Sequence, residues 1–229
     1  DNSSLYIRPL MFSTEDALGV KPSESYTYCV MLSPSGPYYG DNVEAIKLLI
    51  TKDFHRAAPG GIGQAKSGGN YAASLRAAQK AKKFGCKQVL YTDVTGQFIE
   101  EAGSMNHYHV TNEGEIIIPE FTDTILESIT SKSVLELSDR LGHKVSQEKI
   151  DLETFIDGIV NGEISEAGGL GTAAVVSPVN GYVFDDGKEL VVSDGKIGNV
   201  SKNIYETITG IQNGRVEAPE GWLRKVERS

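Results

Sequence analysis

The chain has 229 residues, a formal net charge of −9 and an apolar content of 39%, which is enough for one large domain or for a domain and part of another. The acidic balance, without a patch rich in lysine and arginine, argues against a nucleic-acid partner. Cys29 and Cys86 lie far apart without metal-type spacing and suit a reducing compartment. No signal peptide or apolar run of membrane length occurs. We therefore predict a cytoplasmic protein without a membrane partner.

The first third of the chain begins with two predicted strands. Residues 4–12 alternate apolar and polar positions, which places Tyr6 and Arg8 on the same face. A phenol and a guanidinium so placed can bind a substrate, although spacing alone favours an edge strand with a surface arginine. Residues 26–32 form the second strand. The Pro- and Gly-containing residues 33–37 indicate a turn or an interdomain linker.

A glycine-rich loop over residues 60–70 holds a single lysine, Lys66, and follows a predicted strand over residues 43–51. Gly63, Gly68 and Gly69 permit backbone conformations closed to other residues and a close approach of another molecule. A lysine with its amine in a partly dry pocket has a lowered pKa and can form a Schiff base. A solvated lysine in a plain loop is the commoner arrangement, so the loop alone does not decide.

A helix is predicted over residues 71–84, with Asn70 as its cap and Tyr71 projecting from its first turn. Its inward face carries Leu75, Ala78 and Ala81, and Gly85 ends it. Further strands are predicted over residues 88–93, 97–101, 106–111, 115–118, 164–167, 172–177 and 182–184, and helices over residues 130–141, 151–161 (capped by Asp151) and 200–213. This order without strict alternation predicts a mixed α and β fold.

Three further stretches can carry chemistry, and each has a plainer explanation. The carboxylates of Glu100 and Glu101 precede a glycine, where a buried one could hold a protonated ring nitrogen and a solvated one would be a loop acid. Residues 126–130 open a helix, whose N-terminus can bind phosphate, although Ser128 or Thr130 can simply cap it. The glycine-rich residues 168–174 can present N–H groups to an anion or form an ordinary turn before a strand.

His107 and His109 lie at strand spacing without an acidic or cysteine partner at a ligand interval. We therefore predict surface or packed histidines and no metal site. No Gly-x-Ser-x-Gly elbow and no Walker-type loop is present.

In their order along the chain, these stretches closely resemble the branched-chain amino acid aminotransferases, enzymes of fold-type IV that use pyridoxal 5′-phosphate. The matching stretches are residues 5–9 (LYIRP), 17–20 (ALGV), 32–39 (LSPSGPYY), the Lys66 loop, 101–106 (EAGSMN), 125–130 (ILESIT) and 171–178 (GTAAVVSP). Each motif is weak alone, but their order is specific. The resemblance implies a D-amino acid aminotransferase-like fold, consisting mainly of the large cofactor-binding domain.

The resemblance also implies residue roles. Lys66 is similar to the catalytic lysine that forms the Schiff base with the cofactor and moves the substrate proton. Tyr71 matches the partner of the cofactor's phenolic oxygen, and Glu101 matches the partner of its ring nitrogen. Leu126 would pack on the ring, and Ile129, Thr130 and Thr172 would hold the phosphate. The implied substrate-binding residues are Tyr6, Arg8, Tyr38, Thr172 and Ala173.

The implied reaction exchanges the amino group of leucine, isoleucine or valine with 2-oxoglutarate. The alternatives are another fold-type IV enzyme, such as a D-amino acid aminotransferase or an aminodeoxychorismate lyase, or a cofactor-binding module without catalysis. The resemblance further implies a homodimer. Residues 1–37 would be the remnant of a small N-terminal domain with its linker, and residues 38–229 the large domain. We accordingly expect a longer natural polypeptide, of which this chain alone is an incomplete catalyst.

Overall fold

The structure is a computed structural model that describes residues 4–36 and 44–227. These residues form twelve strands and five helices. The strands are β1 (Ser4–Ser13), β2 (Tyr26–Ser35), β3 (Ile46–Ile50), β4 (Gln88–Thr92), β5 (Phe98–Ala102), β6 (Met105–Thr111), β7 (Ile116–Pro119), β8 (Val145–Glu148), β9 (Ile150–Asp151), β10 (Ile164–Gly171), β11 (Val175–Phe184) and β12 (Glu189–Val191). The helices are α1 (Gly68–Lys83), α2 (Ile129–Glu136), α3 (Ser138–Leu141), α4 (Leu152–Val160) and α5 (Asn199–Gln212).

The chain divides into two compact units, Asp1–Val43 and Glu44–Ser229. In the first unit, β1 and β2 pair antiparallel from Ser4 opposite Ser35 to Ser13 opposite Tyr26. Residues 33–35 of the turn or interdomain linker predicted over residues 33–37 instead belong to β2, with Pro34 opposite Leu5. The interpretation of residues 1–37 as the remnant of a small domain stays a prediction.

The second unit is built on a closed ring of strands. Ten strands pair in the order β8-β7-β6-β10-β11-β3-β4-β5-β9, with β12 on β11. Because β5 also pairs with β6, the strands β6, β10, β11, β3, β4 and β5 close on themselves. The pairs β11–β3, β3–β4 and β7–β8 are parallel. Closure places the end of β5 directly beside the start of β6.

Helices cover the ring on both faces of its strands. Leu48 and Leu49 are neighbours on β3 and both are fully buried, but they belong to different core clusters. Successive strand residues point to opposite faces, so Leu48 packs in the cluster that holds Phe155 of α4, and Leu49 packs with Ala77 of α1. A third cluster joins α5, through residues such as Ile204, to strands β6, β7, β10 and β11.

Two predicted helices differ from the observed ones. Helix α1 begins at Gly68 rather than at residue 71, and its buried residues are Asn70, Ala77 and Ala81. The prediction that Leu75 points inward is wrong, because this side chain is 64% exposed. The helix predicted over residues 130–141 is divided at Leu137 into α2 and α3. In contrast, Asp151 caps α4 as predicted, since its side chain accepts the backbone N–H of Thr154.

Residues 168–171 of the glycine-rich stretch belong to β10, and the turn before the next strand is confined to residues 172–174. A Cβ on Gly168 would lie 2.5 Å from the ring of Tyr108 on the neighbouring β6. Glycine is therefore required here by close packing between strands. His107 and His109, also on β6, are buried and pack against the ring of Phe155. Over residues 4–36 and 44–227, no helix has the length and apolar character needed to cross a membrane.

Candidate active site

One pocket of the second unit gathers side chains from separate parts of the chain. Among its lining residues are six of the predicted site residues, which are Lys66, Tyr71, Glu101, Leu126, Ile129 and Thr172. They come from the lysine loop, α1, β5, the segment before α2, α2 itself and the turn after β10. The fold therefore brings together residues that lie more than 100 positions apart in the sequence.

The lysine and tyrosine form a direct pair at the pocket. Lys66 Nζ donates to Tyr71 Oη at 2.8 Å and lies 5.3 Å from the centre of the Tyr71 ring. Both residues are exposed, which agrees with the commoner arrangement of a solvated lysine in this loop. Asn70 does not cap α1. Its amide instead donates to the carbonyls of Ile62 and Ala65, at 2.7 and 2.8 Å, and closes the lysine loop.

The lysine loop packs tightly against the segment that precedes α2. A Cβ on Gly63 would lie 2.6 Å from Thr124 Cα, which no backbone tolerates. The backbone N–H of Gln64 donates to the carbonyl of Asp123 at 2.9 Å. The predicted special conformation of Gly68 and Gly69 is not found, because both lie in α1 without a positive φ. Close approach at Gly63, rather than freedom at residues 68 and 69, is what the loop requires.

Arg56 is a pocket residue to which the sequence analysis assigned no role. Its Nη2 donates to the carbonyl of Gly63 at 3.0 Å and to the carbonyl of Thr124, and it lies 3.3 Å from Glu101 Oε1. The side chain is only 10% exposed. A buried guanidinium with these partners ties the lysine loop to β5 and to the segment before α2.

Glu101 is the buried carboxylate of the pocket, with 3% of its surface exposed. Its Oε1 accepts the backbone N–H of Leu126 at 3.0 Å, and its Oε2 accepts the Asn106 amide at 3.1 Å. Burial raises the pKa of Glu101 to about 7, against the opposing effects of the Arg56 charge and of these hydrogen bonds. The neighbouring Glu100 points to the other side of the strand and bonds to Thr124. Glu101 is thus the carboxylate placed to meet a cationic ligand.

The N-terminus of α2 faces the same pocket. Ser128 precedes the helix, and its hydroxyl accepts the N–H of Ser131. The first N–H groups of a helix have no acceptor within it, which leaves those of Ile129 and Thr130 for an anion. Thr130 itself is buried and does not line the pocket, whereas Thr172 is exposed and lines it.

The other predicted substrate-binding residues are Ala173, Tyr6, Arg8 and Tyr38, and no described contact joins them to the side chains of the pocket. Ala173 follows Thr172 in the turn but is not among the lining residues. In the first unit, Arg8 Nη2 donates to Tyr6 Oη at 2.5 Å, so these two side chains share a face of β1 as predicted. Tyr38 lies outside the described residues. The substrate-binding role of all four residues stays a prediction.

The pocket matches the chemistry of pyridoxal phosphate at three points. An amine beside a phenol, a buried carboxylate and an unsatisfied helix N-terminus suit an aldehyde, a protonated pyridine nitrogen and a phosphate, respectively. Two of these features do not depend on the lysine motif, namely the burial of Glu101 and the position of the α2 N-terminus at the pocket. The residues present therefore fit this cofactor.

Comparison with known proteins identifies the family. The family model described as "Amino-transferase class IV" matches residues 1–182, and the chain belongs to this family. It is 45% identical over 226 residues to branched-chain-amino-acid transaminase 1 of Bacillus subtilis (strain 168), covering 98% of this chain and 63% of that protein. It is 43% identical over 224 residues to a probable branched-chain-amino-acid aminotransferase of Staphylococcus aureus (strain N315), covering 97% and 62%, respectively. The chain thus spans less than two thirds of the length of these relatives.

Solved structures of the same kind share the fold. The branched-chain amino acid aminotransferase of Escherichia coli matches with a TM-score of 0.78 and 30% identity, over 98% of this chain and 70% of the other. A second branched-chain amino acid aminotransferase, from the organism abbreviated T.th. and described with pyridoxamine 5′-phosphate, matches with a TM-score of 0.82 and 29% identity, over 96% and 69%. The predicted fold-type IV architecture and the resemblance to branched-chain aminotransferases are therefore confirmed. Class IV aminotransferases use pyridoxal phosphate, which confirms the predicted cofactor.

Proposed function

We propose that the protein to which this chain belongs exchanges the amino group between a branched-chain L-amino acid (leucine, isoleucine or valine) and 2-oxoglutarate. The observation that carries this proposal is the convergence of Lys66, Tyr71, Glu101 and the N-terminus of α2 on one pocket. The similarity to branched-chain aminotransferases supports the substrate class. We also propose a cytoplasmic homodimer that acts in branched-chain amino acid biosynthesis.

Lys66 is the residue proposed to attach the cofactor and to move the proton. When bound, pyridoxal phosphate supplies an electron sink for the negative charge that develops at the substrate Cα. The Lys66 amine would be the group that accepts the proton from the substrate Cα and returns it, because an amine of this kind can act in turn as base and acid. Tyr71 Oη lies 2.8 Å from Lys66 Nζ, so it holds the amine in position and can orient the cofactor's phenolic oxygen.

Glu101 is proposed to hold the ring nitrogen in its protonated form. A carboxylate removed from water pairs strongly with a cation that enters its site. Burial raises the pKa of Glu101 to about 7 in the free protein, and a cationic partner stabilises the charged form and lowers it. Leu126 would pack on the ring. The N–H groups of Ile129 and Thr130, together with Thr172, would hold the phosphate.

The substrate side of the site rests on the resemblance. Tyr6, Arg8, Tyr38, Thr172 and Ala173 are proposed to meet the carboxylates and the side chain of the substrate. An aliphatic substrate and glutamate share one pocket only if it is mainly apolar with one reachable cation, and Arg8 is our candidate for that cation. Arg8 already donates to Tyr6, so the two side chains would act as one polar unit.

The attachment is tested by reduction and peptide mapping. The full-length protein is incubated with pyridoxal phosphate, reduced with borohydride and digested. We expect the reduced adduct on the peptide with Lys66, and its loss in Lys66→Arg. Lys83→Arg, at the far end of α1, is the matched control and should retain the adduct. Modification spread over surface lysines, with none at Lys66, would refute the proposed chemistry.

A substrate panel tests the reaction itself. With 2-oxoglutarate as acceptor, we expect leucine, isoleucine and valine to react faster than their D-enantiomers. Preference for D-amino acids would indicate a D-amino acid aminotransferase, and release of pyruvate with an aromatic amine would indicate the lyase. An adduct at Lys66 without turnover of any substrate would leave only a cofactor-binding protein.

A further inference from the structure

Asn106 lines the pocket and lies between Glu101 and the first turn of α2. Strand β5 ends at Ala102 and β6 begins at Met105, so only Gly103 and Ser104 connect them. Gly103 has a φ of +65°, which a two-residue hairpin turn requires and glycine adopts readily. This turn sets the register in which Asn106 lies directly opposite Glu101. The geometry of the hairpin thus dictates which residue meets the carboxylate.

Every hydrogen-bonding atom of the Asn106 side chain has a partner. Its amide nitrogen donates to Glu101 Oε2 at 3.1 Å and to the carbonyl of Leu126 at 2.9 Å, and its oxygen accepts the hydroxyl of Ser131 at 2.7 Å. A carboxylate and a carbonyl can only accept, so the amide nitrogen must face both of them. Its oxygen is then left for Ser131, which must donate. Only one orientation of the amide satisfies all three partners.

These bonds join the two proposed ends of the cofactor pocket. Glu101 is at the end for the ring nitrogen, and Ser131 lies in the first turn of α2, at the end for the phosphate. Asn106 and Ser131 are 3% and 0% exposed, so water does not compete for their bonds. A saturated network in a dry interior is rigid and costly to break. The Asn106 side chain therefore links the two ends directly, in addition to the bond from the Leu126 N–H to Glu101.

We propose that Asn106 is a positioning residue that fixes the Glu101 carboxylate relative to the N-terminus of α2, with the Ser131 hydroxyl holding its amide oxygen. This inference rests on the function proposed above. Asn106 touches no reacting atom. It acts by keeping one oxygen of Glu101 supplied with a donor while the other oxygen receives the N–H of Leu126.

The test measures the titration of Glu101 in the free full-length protein by carboxyl carbon NMR, with Glu101→Gln to assign the signal. In Asn106→Asp, an acceptor replaces the donor beside Glu101, so we expect its titration to move up by about one pH unit or more. In Ser131→Ala, the amide oxygen loses the hydroxyl that holds it in place, and a smaller upward shift is expected. We also expect the affinity for pyridoxal phosphate to fall at least about 10-fold in Asn106→Asp.

Asn203→Asp is the matched control. Asn203 also donates to a backbone carbonyl, that of Leu141, and accepts a hydroxyl, that of Thr207, but it lies in α5, and neither of these partners lines the pocket. It should leave both the Glu101 titration and the cofactor affinity unchanged.

Two outcomes would overturn the inference. One is an unchanged Glu101 titration in a folded Asn106→Asp protein, even if its melting temperature falls, since that would reduce Asn106 to a structural residue. If Asn106→Asp does not fold, an unchanged titration in Ser131→Ala has the same meaning. Failure of wild-type protein to form the Lys66 adduct would instead defeat the proposed function, and the titration of the free protein would still decide the role of Asn106.

Discussion

At the scale of single residues, the least expected group is the Arg56 guanidinium, because one nitrogen serves three partners. It joins the carbonyls of Gly63 and Thr124 to the carboxylate of Glu101. Removing one member of a buried ion pair leaves the other charge uncompensated, which typically costs about 3–5 kcal/mol. Protonation of Glu101 removes its charge and so reduces the cost of losing Arg56, and the pKa of Glu101 is already raised to about 7.

Because Glu101 can be protonated, we predict that the loss of unfolding free energy caused by Arg56→Leu depends on pH. At pH 8, where Glu101 is charged, we expect the variant to lose about 3 kcal/mol or more of unfolding free energy. At pH 5.5 the carboxyl is protonated, so the loss should be smaller. Urea unfolding at the two pH values measures both costs. Arg76→Leu, which removes an exposed arginine of α1, should cost less than about 0.5 kcal/mol at either pH.

A double-mutant cycle separates the ion pair from the two carbonyl bonds. In the Glu101→Gln background, Arg56→Leu leaves no buried charge without a partner. The unfolding free energy lost through Arg56→Leu at pH 8 should therefore approach the loss seen at pH 5.5 with Glu101 present. Equal costs in both backgrounds at pH 8 would show that the guanidinium acts through the carbonyls alone.

Residues of this kind are what sequence reasoning could not supply. Lys66, Tyr71 and Glu101 stand in short motifs whose order along the chain is informative, and the structure places all three in one pocket. Arg56 reaches the carbonyl of Thr124, which is 68 positions away. No local pattern records such a contact. Asn106 stands within a recognised motif, but its role depends on Ser131, a residue of another element.

At the scale of elements, the lysine loop and the start of α1 contain glycines with opposite requirements. A Cβ on Gly63 would collide with the backbone of Thr124, whereas a Cβ on Gly68 would meet nothing within 4 Å. The sequence treats the two alike. The difference arises because Gly63 packs against the segment before α2, and Gly68 lies in the exposed first turn of the helix.

A pair of alanine variants follows from this contrast. Gly63→Ala should force the loop away from Thr124, cost about 1–3 kcal/mol of stability and reduce formation of the Lys66 adduct. Gly68→Ala should be neutral or stabilise by about 0.4–1 kcal/mol, because it restricts the unfolded chain at a position that alanine tolerates. Thermal unfolding and adduct yield, measured together, check both. Similar losses in the two variants would mean that any added methyl group disturbs the loop.

Element boundaries failed where packing overrides local pattern. Residues 168–171 resemble a turn in sequence, yet they form the end of β10. The ring of Tyr108 on the neighbouring strand fills the space that a side chain at Gly168 would take. Helix α1 was recognised, but its inward face was assigned through Leu75, which is exposed. The predicted inward position of Ala81 is confirmed, and this residue packs with Ala77 against Leu49 and its neighbours. Apolar size alone therefore misassigned only Leu75.

At the scale of the whole molecule, buried ionisable groups act on acid stability in opposite directions. The pKa of Glu101 is raised by burial from 4.5 to about 7. The contribution of Glu101 to the unfolding free energy is therefore complete below pH 4.5, the pKa of this group in the unfolded chain. It is lost as the pH rises to about 7. Burial lowers the pKa of His109 from 6.5 to about 4. The contribution of His109 to the unfolding free energy therefore decreases as the pH falls from 6.5.

The two effects oppose each other between about pH 4.5 and 6.5, so replacing either group should reveal the other. In Glu101→Gln, the unfolding free energy of the free protein should increase more steeply with pH than in the wild type. In His109→Leu, it should decrease with pH relative to the wild type. Urea unfolding at three pH values within this window measures the slopes.

His55→Gln, which replaces an exposed histidine, should leave the wild-type slope in place. The prediction fails if Glu101→Gln and His109→Leu change the slope in the same direction, because the assigned shifts require opposite signs.

Closure of the strand ring also bears on how the protein behaves at high concentration. Strand edges with unpaired N–H and C=O groups are templates for aggregation. Seven strands of the large sheet have neighbours on both sides, and the path through that sheet ends in β8 and β9, of four and two residues. The side strand β12 has three residues. Within the described part of this sheet, another chain would find only short segments to pair with, so the architecture that assembles the pocket also protects the sheet from edge-to-edge association.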